Sequence, residues 1–180
     1  MDTFLEPIEK PQGLGMKLAY YFTRKQFGKV ITPMKVHSAR LPSAFGMFYG
    51  KVSQLDRKME LDQSLALLVR IQVARINTCL FCIDASRYYA LQSAMSEEKL
   101  DALADYQLSP LFTKSEKAAL DYATALTKDR NVQPSTFAQL KDHFSERQIC
   151  EIVWLVASEH LYNITNIGLN IHSDMLCQIR

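Results

Sequence analysis

Two cysteines separated by two residues, Cys79 and Cys82, are the side chains of this 180-residue sequence best suited to chemistry. They follow Asn77 and Thr78, which favour helix N-caps and turns, and they precede a helix-compatible run over residues 83–95. Both thiols are therefore predicted in the first turn of a helix, where unpaired backbone N–H groups and the helix dipole favour the thiolate. A thiolate attacks disulfides and peroxides, and cysteines at this spacing can close a disulfide. The pair is thus predicted to be a redox centre.

Two other roles for the pair stay open. A structural zinc site needs four ligands, and its usual signature includes a second Cys or His pair at short spacing, which this sequence lacks. Cys150, Cys177 or one of the four histidines would have to be recruited from elsewhere in the chain. The two cysteines could also be inert core residues. We expect no bound metal, and the sequence calls for no cofactor.

A second polar feature is the pair Glu159 and His160, which lies inside the longest apolar helix predicted, over residues 149–167. Burial of either charge alone is costly and invites a partner. The two side chains could line an oligomer interface or bond to a backbone carbonyl. Alternatively, His160 or Glu159 could reach the cysteine pair from this second helix.

The spacing of apolar residues along the chain predicts the secondary-structure elements that position these residues. No stretch alternates with period two over enough residues to predict a strand, so we expect an all-α fold of six to eight helices. Thr113 with Glu116, and Ser145 with Gln148, have the spacing of capping boxes at helix starts. The predicted helices cover residues 16–27, 43–55, 61–76, 79–95, 97–106, 114–127, 134–144 and 149–167.

The helix at 61–76 is apolar on nearly every face, which predicts a central helix buried by its neighbours. A chain of 180 residues suffices for one core, so a single domain over residues 1–180 is expected. Its first 14 residues, rich in proline and glycine, are predicted to form an N-terminal arm. Pro33 and Pro42 are expected to bracket an irregular connection.

The amino-acid composition and net charge indicate a globular protein and give no sign of nucleic-acid or membrane binding. Hydrophobic residues make up 48% of the chain and charged residues 22%, as in ordinary soluble globular proteins. A formal net charge of +2, with only a modestly basic stretch between Lys17 and Lys35, does not indicate nucleic-acid binding. The sequence shows neither a membrane-length apolar run nor a signal-peptide start, so we expect a cytoplasmic location without membrane partners. In that reducing compartment a disulfide of Cys79 and Cys82 would be catalytic or transient.

The segment LVRIQVARINTCLFCIDA, residues 68–85, resembles the AhpD-like alkylhydroperoxidase and carboxymuconolactone decarboxylase family. Residues 113–123 and 152–166 add to the resemblance, which covers roughly residues 60–170. It implies an AhpD-like helical bundle that assembles as a homo-oligomer. It also implies that Cys82 attacks a hydroperoxide and becomes a sulfenic acid, with which Cys79 condenses to a disulfide. The helix dipole instead slightly favours Cys79 as the more acidic thiol, so the two roles stay open.

The sequence departs from the family's catalytic pattern at two positions. The family has a histidine four residues after the second cysteine and a glutamate twelve residues before the first, which together move the thiol proton. Here these positions hold Ser86 and Leu67. A serine hydroxyl can donate a hydrogen bond to a thiolate, but it cannot act as a general base near neutral pH. Loss of a general base costs about two to four orders of magnitude in rate, so we expect a weakened enzyme.

The leading hypothesis is a thiol-dependent peroxidase or disulfide reductase with Cys79, Cys82, Ser86 and His160 as site residues. Its substrate would be a hydroperoxide or a disulfide, and the resemblance suggests a dithiol or lipoyl-type electron donor. One alternative is a member of the family that has lost the chemistry and serves in binding or assembly. The other is a decarboxylase of the carboxymuconolactone type, a branch that does not depend on a Cys-x-x-Cys pair.

Overall fold

The computed structural model describes residues 2–178, apart from the side chains of Phe45, Phe48 and Tyr49. Within this part of the chain there is no strand, and the predicted all-α bundle is confirmed. The described residues form nine α-helices rather than the predicted six to eight, because a π-helix divides the stretch 43–55 into two short α-helices. The α-helices are α1 (Leu14–Phe27), α2 (Pro42–Phe45), α3 (Ser53–Asp56), α4 (Gln63–Ile76), α5 (Leu80–Gln92), α6 (Glu97–Asp101), α7 (Lys114–Asp129), α8 (Pro134–Lys141) and α9 (Glu146–Ile167). Two π-helices, Met34–Ser38 and Gly46–Val52, and two 3-10 helices, Ala102–Asp105 and Leu176–Gln178, complete the described elements.

Side-chain caps start the helices where the sequence predicts them. The Thr113 hydroxyl accepts from the backbone N–H of Glu116 at 3.2 Å, and the Glu116 carboxylate accepts from the backbone N–H of Thr113 at 2.8 Å. Ser145 and Gln148 form the same reciprocal pair at the start of α9. Both predicted capping boxes are therefore confirmed, and each satisfies backbone donors that the first turn leaves unpaired.

The segment before α4 differs from the prediction. The connection from Pro33 to Pro42 contains the π-helix Met34–Ser38, in which the backbone N–H of Ala39 donates to the Met34 carbonyl at 2.9 Å. Residues 43–55 are helical as predicted, but a π-helix occupies the middle of this stretch. The wider i to i+5 turn does not follow the 3.6-residue period that identifies α-helices, which is why the pattern misses it. The predicted aromatic stripe through Phe45 and Phe48 lies outside the described side chains.

The core is organised around α4, as predicted from its apolar faces. One face of α4 packs with α7, α8 and α9, and a second face packs with α5, α6 and α7. Ala74, near its end, joins a third cluster that contains both Cys79 and Cys82. Apart from Phe81 of α5, the other buried members of this third cluster come from α1, the segment that follows it, the π-helix at 34–38 and the C-terminal tail. The cysteine pair is therefore enclosed by α1 and the tail.

The two ends of the described chain lie against each other. The backbone N–H of Phe4 donates to the Leu169 carbonyl at 3.2 Å, and the Tyr20 hydroxyl donates to the Ile8 carbonyl at 2.6 Å. Residues 2–13 contain no helix and run along α1 and the tail. Within residues 2–178, no helix combines the length and the apolar character that crossing a membrane requires.

Candidate functional site

The cysteine pair lies at the junction of α4 and α5. Asn77 is the C-cap of α4, and Thr78 follows in the left-handed region with φ 58°. Cys79 is then the N-cap of α5, and Cys82 lies in the first turn. The predicted position at a helix start is confirmed, with one difference. Asn77 and Thr78 form the turn out of α4, and the capping residue is Cys79 itself, because the left-handed Thr78 redirects the chain just before it.

Cys79 and Cys82 form a disulfide, and their Cα atoms are 5.3 Å apart. The Cys79 sulfur also accepts from the backbone N–H of Cys82 at 3.4 Å, the hydrogen bond of an N-cap residue. Both residues are buried, at 1% and 4% exposure. Cys150 and Cys177 are free thiols. The backbone therefore holds Cys79 and Cys82 in positions that are compatible with conversion between a dithiol and a disulfide.

Asn166 of α9 approaches the second sulfur. Its Nδ2 donates to the Cys82 sulfur at 3.3 Å, and its side chain is 7% exposed. One turn earlier on α9, Asn163 is fully buried and accepts at Oδ1 from Nδ2 of Asn77 at 2.8 Å. The helix α9 thus presents one amide to the turn that precedes the pair and another to the pair itself.

A buried charge cluster lies behind these amides. The Glu159 carboxylate accepts from Nδ2 of Asn163 at 2.7 Å and from Arg70 of α4 at 3.0 Å. Arg70 also forms an ion pair with Asp56 at 2.7 Å. Burial raises the pKa of the Glu159 carboxyl above its ordinary value of 4.5, against the opposing effect of Arg70. The glutamate position of the family pattern corresponds to Leu67 on α4. In the described chain a carboxyl group with a raised pKa instead comes from Glu159 on α9.

His160 joins the same network on its outer side. Its Nδ1 lies 3.0 Å from Nδ2 of Asn77, and its Nε2 lies 3.0 Å from Nη1 of Arg130. Burial, and after it the positive charge of Arg130, lowers the pKa of the imidazole below its ordinary value of 6.5. Among the hydrogen bonds of the described residues, none joins His160 to Cys79 or Cys82. His160 instead bonds to Asn77, which precedes Cys79 by two residues. The predicted catalytic role of His160 stays a prediction.

Ser86 and Leu67 occupy the two positions at which the sequence departs from the family pattern. Ser86 is buried on α5, four residues beyond Cys82, and the hydrogen bonds of the described residues include none between the two. Leu67 is buried in a cluster that includes Ala90 of α5. The position twelve residues before Cys79 therefore holds a buried aliphatic side chain. A catalytic role for Ser86 stays a prediction.

Asp84, two residues beyond Cys82, points away from the pair. Its carboxylate accepts from the Ser173 hydroxyl and the Leu176 backbone N–H, both at 2.9 Å, and from the Cys177 backbone N–H at 3.2 Å. These bonds hold the C-terminal tail on α5. Burial and, after it, the Asp84 charge together raise the pKa of the Cys177 thiol to about 11. Cys177 is thus poorly suited to be a nucleophile.

Asparagine is ordinarily a residue of caps, turns and exposed positions, so the residue type alone does not single out Asn77, Asn163 or Asn166. The signal that the sequence does contain is the spacing of three between Asn163 and Asn166, which puts two amides on one face of an apolar helix.

Metal binding has no support of this kind from the described residues. Across the described residues, no group of three or more His, Cys, Asp or Glu side chains is arranged to hold a metal ion.

Comparison with known proteins agrees with this architecture. The carboxymuconolactone decarboxylase family matches residues 43–125, a range that includes α4 and the cysteine pair. A protein of Escherichia coli strain K12 named "Uncharacterized protein YnjA" is 30% identical over 158 residues, which cover 87% of this chain and 86% of that protein.

Two solved structures share the fold at low sequence identity. An alkylhydroperoxidase AhpD core, a peroxidase-related protein from Ralstonia eutropha JMP134, superposes with a TM-score of 0.78 at 19% identity, covering 89% of this chain and 86% of that one. A single-residue variant of the debrominase Bmp8 in complex with 2,3,4-tribromopyrrole superposes with a TM-score of 0.81 at 17% identity, covering 99% of this chain and 95% of that one. The chain therefore belongs to the carboxymuconolactone decarboxylase family and has its AhpD-like fold.

Proposed function

We propose that this protein is a thiol-dependent peroxidase that reduces hydroperoxides through Cys79 and Cys82. The observation that carries the proposal is the pair itself. The two cysteines begin a helix, are joined as a disulfide, and each has a hydrogen-bond donor on its sulfur, the backbone N–H of Cys82 for Cys79 and the Asn166 amide for Cys82. Donors directed at sulfur favour the thiolate over the thiol.

The proposed cycle has two chemical steps and a reset. The Cys82 thiolate attacks one peroxide oxygen, so that an S–O bond forms, the O–O bond breaks, and the leaving alkoxide takes a proton to become an alcohol. The Cys79 thiol then attacks the Cys82 sulfur, forming the disulfide and releasing water. An external dithiol reduces this disulfide and is itself oxidised to a disulfide.

The rate of the first step is expected to be modest. Neither Leu67 nor Ser86 can accept the thiol proton, and a positioned base contributes about two to four orders of magnitude in rate. The hydrogen-bond donors described above stabilise the thiolate but do not remove its proton. The reaction is therefore expected to depend strongly on the fraction of Cys82 that is ionised at the working pH.

The test is a single-turnover reaction of reduced protein with one equivalent of tert-butyl hydroperoxide, followed by alkylation of free thiols and mass mapping. We expect a disulfide of Cys79 and Cys82, with one alcohol formed per disulfide. Cys82→Ser should form neither product, whereas Cys150→Ser, which removes an exposed free thiol, should react like the wild type. If both thiols of the wild type stay free after long exposure, the proposal is wrong and a binding or assembly role is favoured.

A reductive debromination is a second candidate, supported by the fold likeness to the debrominase over 99% of this chain. Such a reaction replaces a carbon–bromine bond by carbon–hydrogen, releases bromide, and leaves two thiols as a disulfide. The same mapping experiment with 2,3,4-tribromopyrrole in place of the hydroperoxide tests it. Release of bromide in step with disulfide formation would support this candidate.

The homo-oligomer and the cytoplasmic location implied by the sequence stay predictions. Exposed apolar residues on α9, among them Val153, Leu161 and Ile164, provide a surface that a second copy could cover. Sedimentation velocity of the reduced and oxidised protein measures the oligomeric state directly.

A further inference from the structure

We infer that Asn166 is a catalytic residue of this centre: its side-chain amide stabilises the thiolate of Cys82 where the usual proton-relay positions hold Leu67 and Ser86. The inference rests on the proposed function, because it assigns a role within the same thiol reaction. It adds a residue of α9 to a site otherwise formed by α4 and α5.

The contact is direct and buried. Nδ2 of Asn166 lies 3.3 Å from the Cys82 sulfur, and the Asn166 side chain is 7% exposed. An amide NH2 can only donate, and a disulfide or thiol sulfur is a weak acceptor. A thiolate is a charged acceptor, and hydrogen bonds to charged groups are roughly twice as strong as neutral ones. The bond therefore strengthens when Cys82 ionises, which is the condition for favouring the reactive form.

The backbone holds Asn166 in place independently of its side chain. Its carbonyl accepts from the backbone N–H of Leu169 at 3.3 Å and from that of Ile171 at 2.9 Å, at the end of α9. Ile171 is buried in the cluster that contains Cys82. One turn earlier, Asn163 is fixed between Glu159 and Asn77. The Asn166 amide is thus positioned before the thiolate forms, so little reorganisation accompanies ionisation.

Most charged or titratable groups of the neighbouring elements bond to partners other than the Cys82 sulfur. On α5, Asp84 holds the tail, and on α9, Glu159 bonds to Arg70 and Asn163. His160 contacts Asn77 and Arg130, and the tail residue Asp174 bonds to Thr32. His172 of the tail has a buried Nε2 that lacks a hydrogen-bond partner in the described chain. In the described part of the chain none of these groups bonds to the Cys82 sulfur, whereas Nδ2 of Asn166 does.

The test measures ionisation of Cys82 apart from any peroxide reaction. In a background of Cys79→Ser, Cys150→Ser and Cys177→Ser, Cys82 is the sole thiol, and its thiolate absorbance near 240 nm is followed against pH. Asn166→Leu removes the donor, and Asn166→Asp keeps the shape but places a carboxylate beside the sulfur. Both should reduce the thiolate fraction at neutral pH by about tenfold to a hundredfold, as expected for a lost hydrogen bond to a charge.

Thr165→Val is the matched control, since Thr165 adjoins Asn166 on α9 and its hydroxyl bonds to the Leu161 carbonyl. Its titration should match that of the parent. In the otherwise wild-type chain, Asn166→Leu should slow disulfide formation by hydroperoxide by the same factor as it lowers the thiolate fraction.

The outcomes separate the two proposals. Unchanged titration in a folded Asn166→Leu or Asn166→Asp variant, checked by circular dichroism, overturns the role of Asn166 and leaves the peroxidase proposal standing. A wild-type protein that forms no disulfide with hydroperoxide overturns the proposed function, whatever the titration shows. A lowered thiolate fraction in both variants, with a matching loss of rate, supports the inference.

Discussion

Asn77 and Asn163 are joined by a hydrogen bond of 2.8 Å from Nδ2 of the first to Oδ1 of the second. Asn77 ends α4 two residues before Cys79, and Asn163 is a fully buried residue of α9. This bond therefore connects the turn that begins the cysteine helix to the helix that provides Asn166. Because the turn contains a residue in the left-handed region, Thr78 with φ 58°, an external anchor helps to hold its conformation.

Asn163→Leu should destabilise the protein by about 2 kcal/mol, because it leaves the buried Glu159 carboxylate and the half-buried Asn77 amide without this partner. Urea unfolding of the wild type and the variant measures the change in the free energy of unfolding. Hydrogen exchange of the backbone amides at residues 77–79 should also speed up. Thr165→Val on the same helix is the control, and equal stability of Asn163→Leu and the wild type would show that the anchor is unimportant.

The stability of the wild type relative to Glu159→Gln should fall as the pH rises. Burial raises the pKa of Glu159 above 4.5 in the folded state, so the folded protein holds this proton more tightly than the unfolded chain does. The resulting stabilisation is complete below the unfolded pKa and is lost as the pH rises through the folded pKa. Urea unfolding of both proteins at about pH 4.5 and about pH 8 measures the difference. A difference that grows in favour of the wild type at high pH would mean that Arg70 outweighs burial.

Cys177 should react with iodoacetamide about two orders of magnitude more slowly than an ordinary exposed thiol at about pH 8. Burial, with the Asp84 charge, raises its pKa to about 11, so only a very small fraction is thiolate at that pH. Mass spectrometry of a time course, with exposed Cys150 as the internal reference, measures the ratio. Asp84→Asn should speed the modification of Cys177, and equal rates for Cys150 and Cys177 in the wild type would contradict the assignment.

The double variant Leu67→Glu, Ser86→His should react with hydroperoxide about two to four orders of magnitude faster than the wild type. Residue 86 lies four positions after Cys82 and four before Ala90, so all three share one face of α5, and Leu67 packs in the cluster of Ala90. A histidine at residue 86 can accept the thiol proton, and a glutamate at residue 67 restores the second group of the family's relay.

The control is the double variant Leu67→Gln, Ser86→His, which has a side chain of the same shape at residue 67 but no carboxylate there. Single-turnover rates of the two double variants are compared. Equal rates for the two would mean that residue 67 takes no part in proton transfer.

The local features of this chain follow from its sequence because they depend on neighbours within a few residues. The capping boxes at Thr113 and Ser145, the apolar faces of α4, and the helix start beside the cysteines are all set by local hydrogen bonds and by the 3.6-residue period. The π-helix at Met34–Ser38 escapes this reasoning, since its wider turn shifts the apolar residues out of the period that identifies an α-helix.

The composition of the site depends on distant parts of the chain. Sequence alone determined that Cys79 and Cys82 form a pair at a helix start, and that Leu67 and Ser86 occupy the positions of the family's proton relay. Only the packing of α9 against the α4–α5 junction decided that Asn166 contacts Cys82, more than eighty residues away, and that His160 bonds to Asn77 and Arg130. The reason is physical: a side-chain contact across helices depends on their mutual rotation and register, which the summed packing of the whole core determines.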